Sequence, residues 1–172
     1  MRYFVLAIIV LATLGFLTML GEKKGEESPA AKKAGEPAPV FSLNDYHGNK
    51  VSLSDFAGKN VVVNSWAAWC PFCVLELKDF AQLQEELGDA IVIIAIDRAE
   101  LLETARGYTD DTGVSDKLVF LLDPADSFYK SIGGSVMPET IFVNDAGEIV
   151  FHKRGPMSLE EMRIKVKEVL SM

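Results

Sequence analysis

The run Val61-Val62-Val63-Asn64-Ser65-Trp66-Ala67-Ala68-Trp69-Cys70-Pro71-Phe72-Cys73 constrains the fold of this chain more than any other stretch. Its three adjacent β-branched apolar residues predict a strand covered on both faces, as in a parallel or mixed sheet. After Cys73 the apolar period lengthens, and Leu75, Phe80, Leu83 and Leu87, with Leu77 beside them, recur at helical spacing. Pro71 suits the first helical position, where its missing N–H would be unpaired in any case. This reading puts Cys70 at a helix N-cap and Cys73 one turn later on the same face. Free N–H groups and the positive end of the helix dipole favour a thiolate there, and Cys-x-x-Cys thiols commonly fall from a pKa of about 8.5 into the range of roughly 3.5–7.5. Cys70 is therefore the expected nucleophile. Cys73 is the expected resolving thiol, closing an intramolecular disulfide when a mixed disulfide forms on Cys70.

Composition narrows the remaining classes. A chain of 172 residues has room for one domain and an appendage, and its 17 Lys+Arg against 25 Asp+Glu give a net charge of −8. No basic stripe is available to displace counterions, which argues against a nucleic acid partner. The two cysteines, three apart, cannot staple distant parts of a fold, so their use is redox or metal ligation. A structural zinc site needs four ligands, and His47 and His152 stand singly, without partners at motif spacing; both read as surface residues. Covalent haem attachment needs His directly after the second cysteine, where this chain has Val74. The reading therefore expects no metal, and no cofactor other than the redox-active Cys70–Cys73 pair.

In chain order, Arg2 precedes an apolar run over residues 3–20, about long enough to span a bilayer as a helix. Its end offers a poor cleavage site and no cysteine for lipid attachment, so residues 1–21 are read as an uncleaved membrane anchor, with a signal peptide as the alternative. A count of Lys and Arg, with Lys23, Lys24, Lys32 and Lys33 after the run, favours the opposite topology; the export-like pattern of a charged start and an apolar run is given precedence. Residues 22–38, rich in Gly, Glu, Lys, Ala and Pro without apolar period, are read as a solvated linker. A folded domain over 39–172 is expected to begin with a hairpin, 40–43 and 50–53, around a turn rich in Asn, Asp and Gly. Beyond the central helix and Gly88, residues 90–96 predict a second buried strand ending at Asp97. Residues 100–108 predict a helix with Leu101, Leu102 and Ala105 on one side, 109–115 a polar turn, and 118–122 a short strand. A helical turn is expected over 127–132. The stretch 135–143 brings Pro138 to the start of a strand, 144–147 turns, and 148–152 pairs back. Ser158 and Glu161 form a capping box for a last helix with Leu159, Met162, Val166 and Val169 inward.

The motif Trp66-Ala67-Ala68-Trp69-Cys70-Pro71-Phe72-Cys73 with the distant Met137-Pro138 resembles the thioredoxin superfamily. The apolar N-terminal segment, the entry hairpin and Asn64 ahead of Trp66 resemble its membrane-anchored ResA/TlpA-like branch. That resemblance implies an α/β thioredoxin-like fold, a central mixed β-sheet flanked by helices with an extra N-terminal β-hairpin. It implies a cis peptide between Met137 and Pro138 packed against the cysteine pair, leaving backbone free for an extended peptide. Trp69, Pro71, Phe72, Met137 and Pro138 are then the expected client-binding residues, and Trp66 a packing residue. Thioredoxin carries a buried Asp where this chain has Asn64, and an amide cannot accept the Cys73 proton. Glu76 stands where ResA-like proteins carry a functional Glu, and the resemblance assigns it proton handling with Cys70 and Cys73. Lys78 replaces a helix-kinking proline, so a straighter helix is expected.

The implied activity is thiol–disulfide exchange with client proteins outside the cytoplasm, on a membrane-tethered domain fed by a membrane thiol electron donor. The branch suggests a reductant, with Cys-x-x-Cys-His sites of apocytochrome c among its clients. Two other readings remain. A peroxiredoxin-type thiol peroxidase fits the entry segment, but the Pro and Thr or Ser that precede a peroxidatic cysteine are missing before Cys70. A non-catalytic client-binding module would not need both cysteines.

Overall fold

The structure, a computed structural model, describes residues 32–171. The valine run opens a strand in which every residue is buried, as the double-faced pattern requires. In chain order the strands are β1 (Ser42–Asp45), β2 (Lys50–Ser52), β3 (Val61–Trp66), β4 (Val92–Arg98), β5 (Val119–Asp123), β6 (Glu139–Val143) and β7 (Ile149–Arg154). The α-helices are α1 (Cys73–Leu87), α2 (Leu102–Thr112), α3 (Ser127–Ser131) and α4 (Leu159–Leu170). One sheet runs in the order β2-β1-β5-β4-β3-β6-β7. β3, β4 and β5 are parallel, while β1 and β6 join them antiparallel. This is the mixed sheet with flanking helices and N-terminal hairpin implied by the resemblance. β5 takes a central place, joining the entry hairpin to β4.

Alternation along β3 divides the core. Val61 and Val63 pack with Ile94, Ile96, Phe128 and Ile141 on one face. Val62 meets Phe80, Leu83, Met162 and Val166 of α1 and α4 on the other. Trp66, on that second face near the strand end, is fully buried with Tyr108 and Phe120, the packing role expected of it. β6 runs antiparallel to β3, with Ser65 opposite Glu139, so the end of β3 that leads into the cysteines adjoins the start of β6 that follows Pro138. Residues far apart in sequence thus reach one end of the sheet.

Several expectations change. Helix α1 starts at Cys73, not at Pro71, and Cys70 is not its N-cap. The chain leaves β3 through two tight turns, in which Cys70 N–H donates to Ala67 C=O and Cys73 N–H to Cys70 C=O, each at 3.1 Å. That bend spends on turns the residues a longer helix would have used. From Cys73 the helix continues unbroken to its Gly88 cap, through Lys78. Leu75 is 69 % exposed and does not face the core; Leu77, Phe80 and Leu83 do. Helix α2 begins later and runs further than expected, through Thr112, and buries Ala105 and Thr109 while Leu101 and Leu102 stay exposed. At α4 the Ser158 hydroxyl accepts from Glu161 N–H, but the Glu161 carboxylate pairs with Lys153 at 2.6 Å instead of closing the capping box.

The solvated segment also ends sooner than residue 38. Gly35 N–H donates to Ile149 C=O, Ile149 N–H to Glu36 C=O and Ala38 N–H to Gly147 C=O, and Ala38 is buried. The rest of the linker and the apolar run over 3–20 lie outside the described residues. Among the described residues no helix is long and apolar enough to cross a membrane.

Candidate functional site

Cys70 and Cys73 are joined as a disulfide, their Cα atoms 5.4 Å apart. Cys70 is 2 % exposed and Cys73 not at all. The two sulfurs sit over an apolar bed that includes Trp66, Leu77 and Ala81, with Met137 packed against it. Around this buried pair the surface is aromatic: Trp69 is 61 % and Phe72 58 % exposed, and Pro71 between them is exposed as well. Large apolar side chains turned to solvent beside a reactive group mark a candidate interaction surface. The Met137–Pro138 peptide is cis, and Pro138 is buried. The five expected client-binding residues therefore comprise three exposed ones on the cysteine turn and two on the loop before β6.

Glu76, one turn after Cys73 on α1, is only 1 % exposed and not a solvated surface carboxylate. Its Oε2 accepts from Asn64 Nδ2 at 2.8 Å and its Oε1 from the Met157 N–H at 3.0 Å. Burial pushes the carboxyl up from 4.5 to about 7, against the pull of those two donors. Asn64 does more than satisfy backbone groups. It faces Thr140 directly across the β3–β6 ladder and donates to its Oγ1 at 3.0 Å. Its own Oδ1 has no partner. Half-turned about its last bond, the Asn64 amide would present that oxygen to a protonated Glu76, so the network suits either proton state.

A pair of acids flanks the motif on the β4 side. Asp97, opposite Trp66 in the ladder, is buried with neither carboxyl oxygen hydrogen-bonded. Burial, with the Glu100 carboxyl beside it, pushes Asp97 up to about 8. Glu100 Oε2 accepts the Ala68 N–H at 2.7 Å, which pins the turn that carries Trp69 and Cys70. Spacing along the chain gives no signal for either acid: strand register brings Asp97 to Trp66, and Glu100 follows in the turn after β4.

The two histidines part company. His47 is exposed, as expected. His152 is not a surface residue: its side chain is 4 % exposed and its Nε2 lies 2.9 Å from Glu139 Oε2. It occupies β7 diagonally across from Glu139 on β6, a pairing the β6–β7 hairpin creates. Among the described residues no group of three or more His, Cys, Asp or Glu is placed to hold a metal ion.

The redoxin family model matches residues 33–170. A thiol–disulfide oxidoreductase ResA of Halalkalibacterium halodurans is 32 % identical over 171 residues, covering 99 % of this chain and 93 % of that protein. ResA of Bacillus subtilis is 28 % identical over 152 residues, covering 88 % of this chain and 82 % of its own. The solved thioredoxin domain of a thiol–disulfide oxidoreductase from Bacteroides vulgatus superposes with a TM-score of 0.72 at 25 % identity, over 81 % of this chain and 99 % of that one. With a paired Cys-x-x-Cys on a thioredoxin-like sheet and these likenesses over most of its length, the chain belongs to the redoxin family, as a ResA/TlpA-like thiol–disulfide oxidoreductase of the thioredoxin superfamily.

Proposed function

We propose that this oxidoreductase works as a protein-disulfide reductase outside the cytoplasm, held at the membrane by residues 1–21. The likeness to the ResA-named oxidoreductases supports the reducing direction, and the observation that supports the exchange chemistry is Glu76, buried one turn after Cys73, where burial raises its carboxyl to about 7. A reductant needs Cys73 to lose its proton late, after Cys70 is already engaged. A base one helical turn from Cys73 meets that need.

The cycle follows from the geometry. Cys70 thiolate attacks one sulfur of a client disulfide; a Cys70–client S–S bond forms, and the client's other sulfur leaves as a thiolate and takes up a proton. Glu76 accepts the Cys73 proton, and Cys73 attacks Cys70 Sγ. The Cys70–Cys73 bond forms, the client's second thiolate departs, and two electrons have passed to the client. Trp69, Pro71 and Phe72 cover the apolar flanks of the client, and Met137 and Pro138 receive its backbone. Return to the dithiol takes two electrons from a donor dithiol, which for a tethered domain is a membrane thiol–disulfide protein. The resemblance to the ResA-like branch supports apocytochrome c Cys-x-x-Cys-His sites as clients.

Equilibration of the purified chain against a glutathione or dithiothreitol couple tests the direction. A midpoint potential near about −270 mV fits a reductant, and one near about −120 mV makes the protein an oxidant and refutes this reading.

A further inference from the structure

The loop that precedes Pro138 is held by side chains to an extent its length does not require. Glu139 is completely buried, and its Oε1 accepts from both Ser135 N–H at 2.7 Å and Val136 N–H at 3.0 Å. Its Oε2 faces His152 Nε2 at 2.9 Å, and Arg154 Nε lies 3.6 Å from Oε1. Tyr129 Oη donates to Val136 C=O at 3.1 Å, and Arg154 Nη2 donates to Gly133 C=O at 2.6 Å. Gly134 lets the Tyr129 ring lie against the loop, since a Cβ there would come within 2.5 Å of it. Met137, which follows Val136, lies against the apolar cluster of Cys70 and Cys73, and among the described residues its backbone N–H and C=O take part in no hydrogen bond.

A buried carboxylate is a costly way to fill space, and an apolar side chain of similar volume often serves stability as well or better. What the carboxylate supplies is geometry: one oxygen fixes two successive N–H groups while the other is fixed from behind. We propose that Glu139, backed by His152, is a positioning residue for client binding: it holds residues 135–136 so that the free Met137 backbone is presented to the extended segment flanking a client cysteine. This rests on the reading of Met137–Pro138 as the client-receiving edge. It adds a residue that touches neither sulfur nor client, and it separates recognition from chemistry. Glu139 sets how well a client docks, while Cys70, Cys73 and Glu76 set how fast sulfur exchanges.

The test is steady-state reduction of a peptide containing a Cys-x-x-Cys disulfide by the full chain, with dithiothreitol as the reductant that regenerates it. Glu139→Ala strands two N–H groups and is expected to raise KM about tenfold or more while kcat stays within about threefold. Glu139→Gln keeps the accepting oxygen and is expected to restore KM to within about threefold of the wild type. Tyr129→Phe removes only the bond to Val136 C=O and keeps the ring, so it serves if Glu139→Ala does not fold; its KM is expected to rise about threefold. Wild-type KM in the folded Glu139→Ala or in Tyr129→Phe overturns the inference. So does a fall in kcat and in thermal stability that Glu139→Gln fails to rescue, because that marks a merely structural role. Failure of the wild type to reduce the peptide at all is a different result, which overturns the client reading on which the inference stands.

Discussion

Glu76→Gln keeps the shape of the buried side chain and removes its titration. The remaining oxygen can still accept the Met157 N–H, and the new Nε2 donor finds the Asn64 Oδ1 that now lacks a partner once that amide turns over. The variant therefore isolates the charge. In the wild type the carboxyl is raised from 4.5 to about 7 by burial. An acid raised in the folded state binds its proton more tightly there than in the unfolded chain. Its contribution is complete below pH 4.5 and is lost as pH rises towards about 7. The rise from 4.5 to about 7, at about 1.36 kcal/mol per tenfold change in proton affinity, gives a loss of about 3 kcal/mol across that window. Urea denaturation of the oxidised wild type and variant at closely spaced pH values from 4 to 8 measures it. The stability of Glu76→Gln relative to wild type is expected to rise by about 3 kcal/mol between pH 4.5 and pH 8, with other titrating groups cancelling in the difference. A difference that stays flat to within about 0.5 kcal/mol refutes the argument that Glu76 carries an elevated pKa, and removes it as the base for Cys73.

Two further outcomes follow from burial. Phe80→Ala empties a fully buried site between Val62, Leu83 and Met162 and is expected to cost about 3–5 kcal/mol by denaturant titration; a cost under about 1 kcal/mol contradicts the packing described. Asp97 is raised from 3.8 to about 8, so it too destabilises the fold as pH climbs through that interval. Asp97→Asn is expected to gain on the wild type steadily from pH 4 to pH 8.5, and a gap that does not widen with pH contradicts it.

Much of this could be read from local pattern. Three valines announced a doubly covered strand, Gly88 marked the end of α1, and 144–147 closed a hairpin where expected. Local pattern failed where one period fits two faces. Helical spacing selects Leu75 and Leu102 for the inward faces, yet both point to solvent: Leu75 stands five residues before Phe80, about 140° around the helix from it, and Leu102 is the opening residue of α2, where Ala105 and Thr109 are the buried positions. The site was legible in its two cysteines, whose type and spacing carry their chemistry, and in Pro138 through the family resemblance. Its polar support was not. Asn64 meets Thr140 and Glu139 meets His152 only through the ladders of β6, and a ladder is written in register, which no single segment encodes. Position alone let Glu76 pass as one acid among many; its 1 % exposure sets it apart.

The order of attack by the two sulfurs tests the central claim most directly. Reduced Cys73→Ser and Cys70→Ser variants would each be mixed with a disulfide-bearing peptide and quenched in acid, and the mixed disulfides weighed by mass spectrometry. Cys73→Ser is expected to accumulate a peptide adduct on Cys70, because the thiol that would resolve it is gone, while Cys70→Ser accumulates little. Adduct forming chiefly on Cys73 of the Cys70→Ser variant, or on neither cysteine, would contradict the assignment of Cys70 as nucleophile and Cys73 as the thiol that completes the exchange.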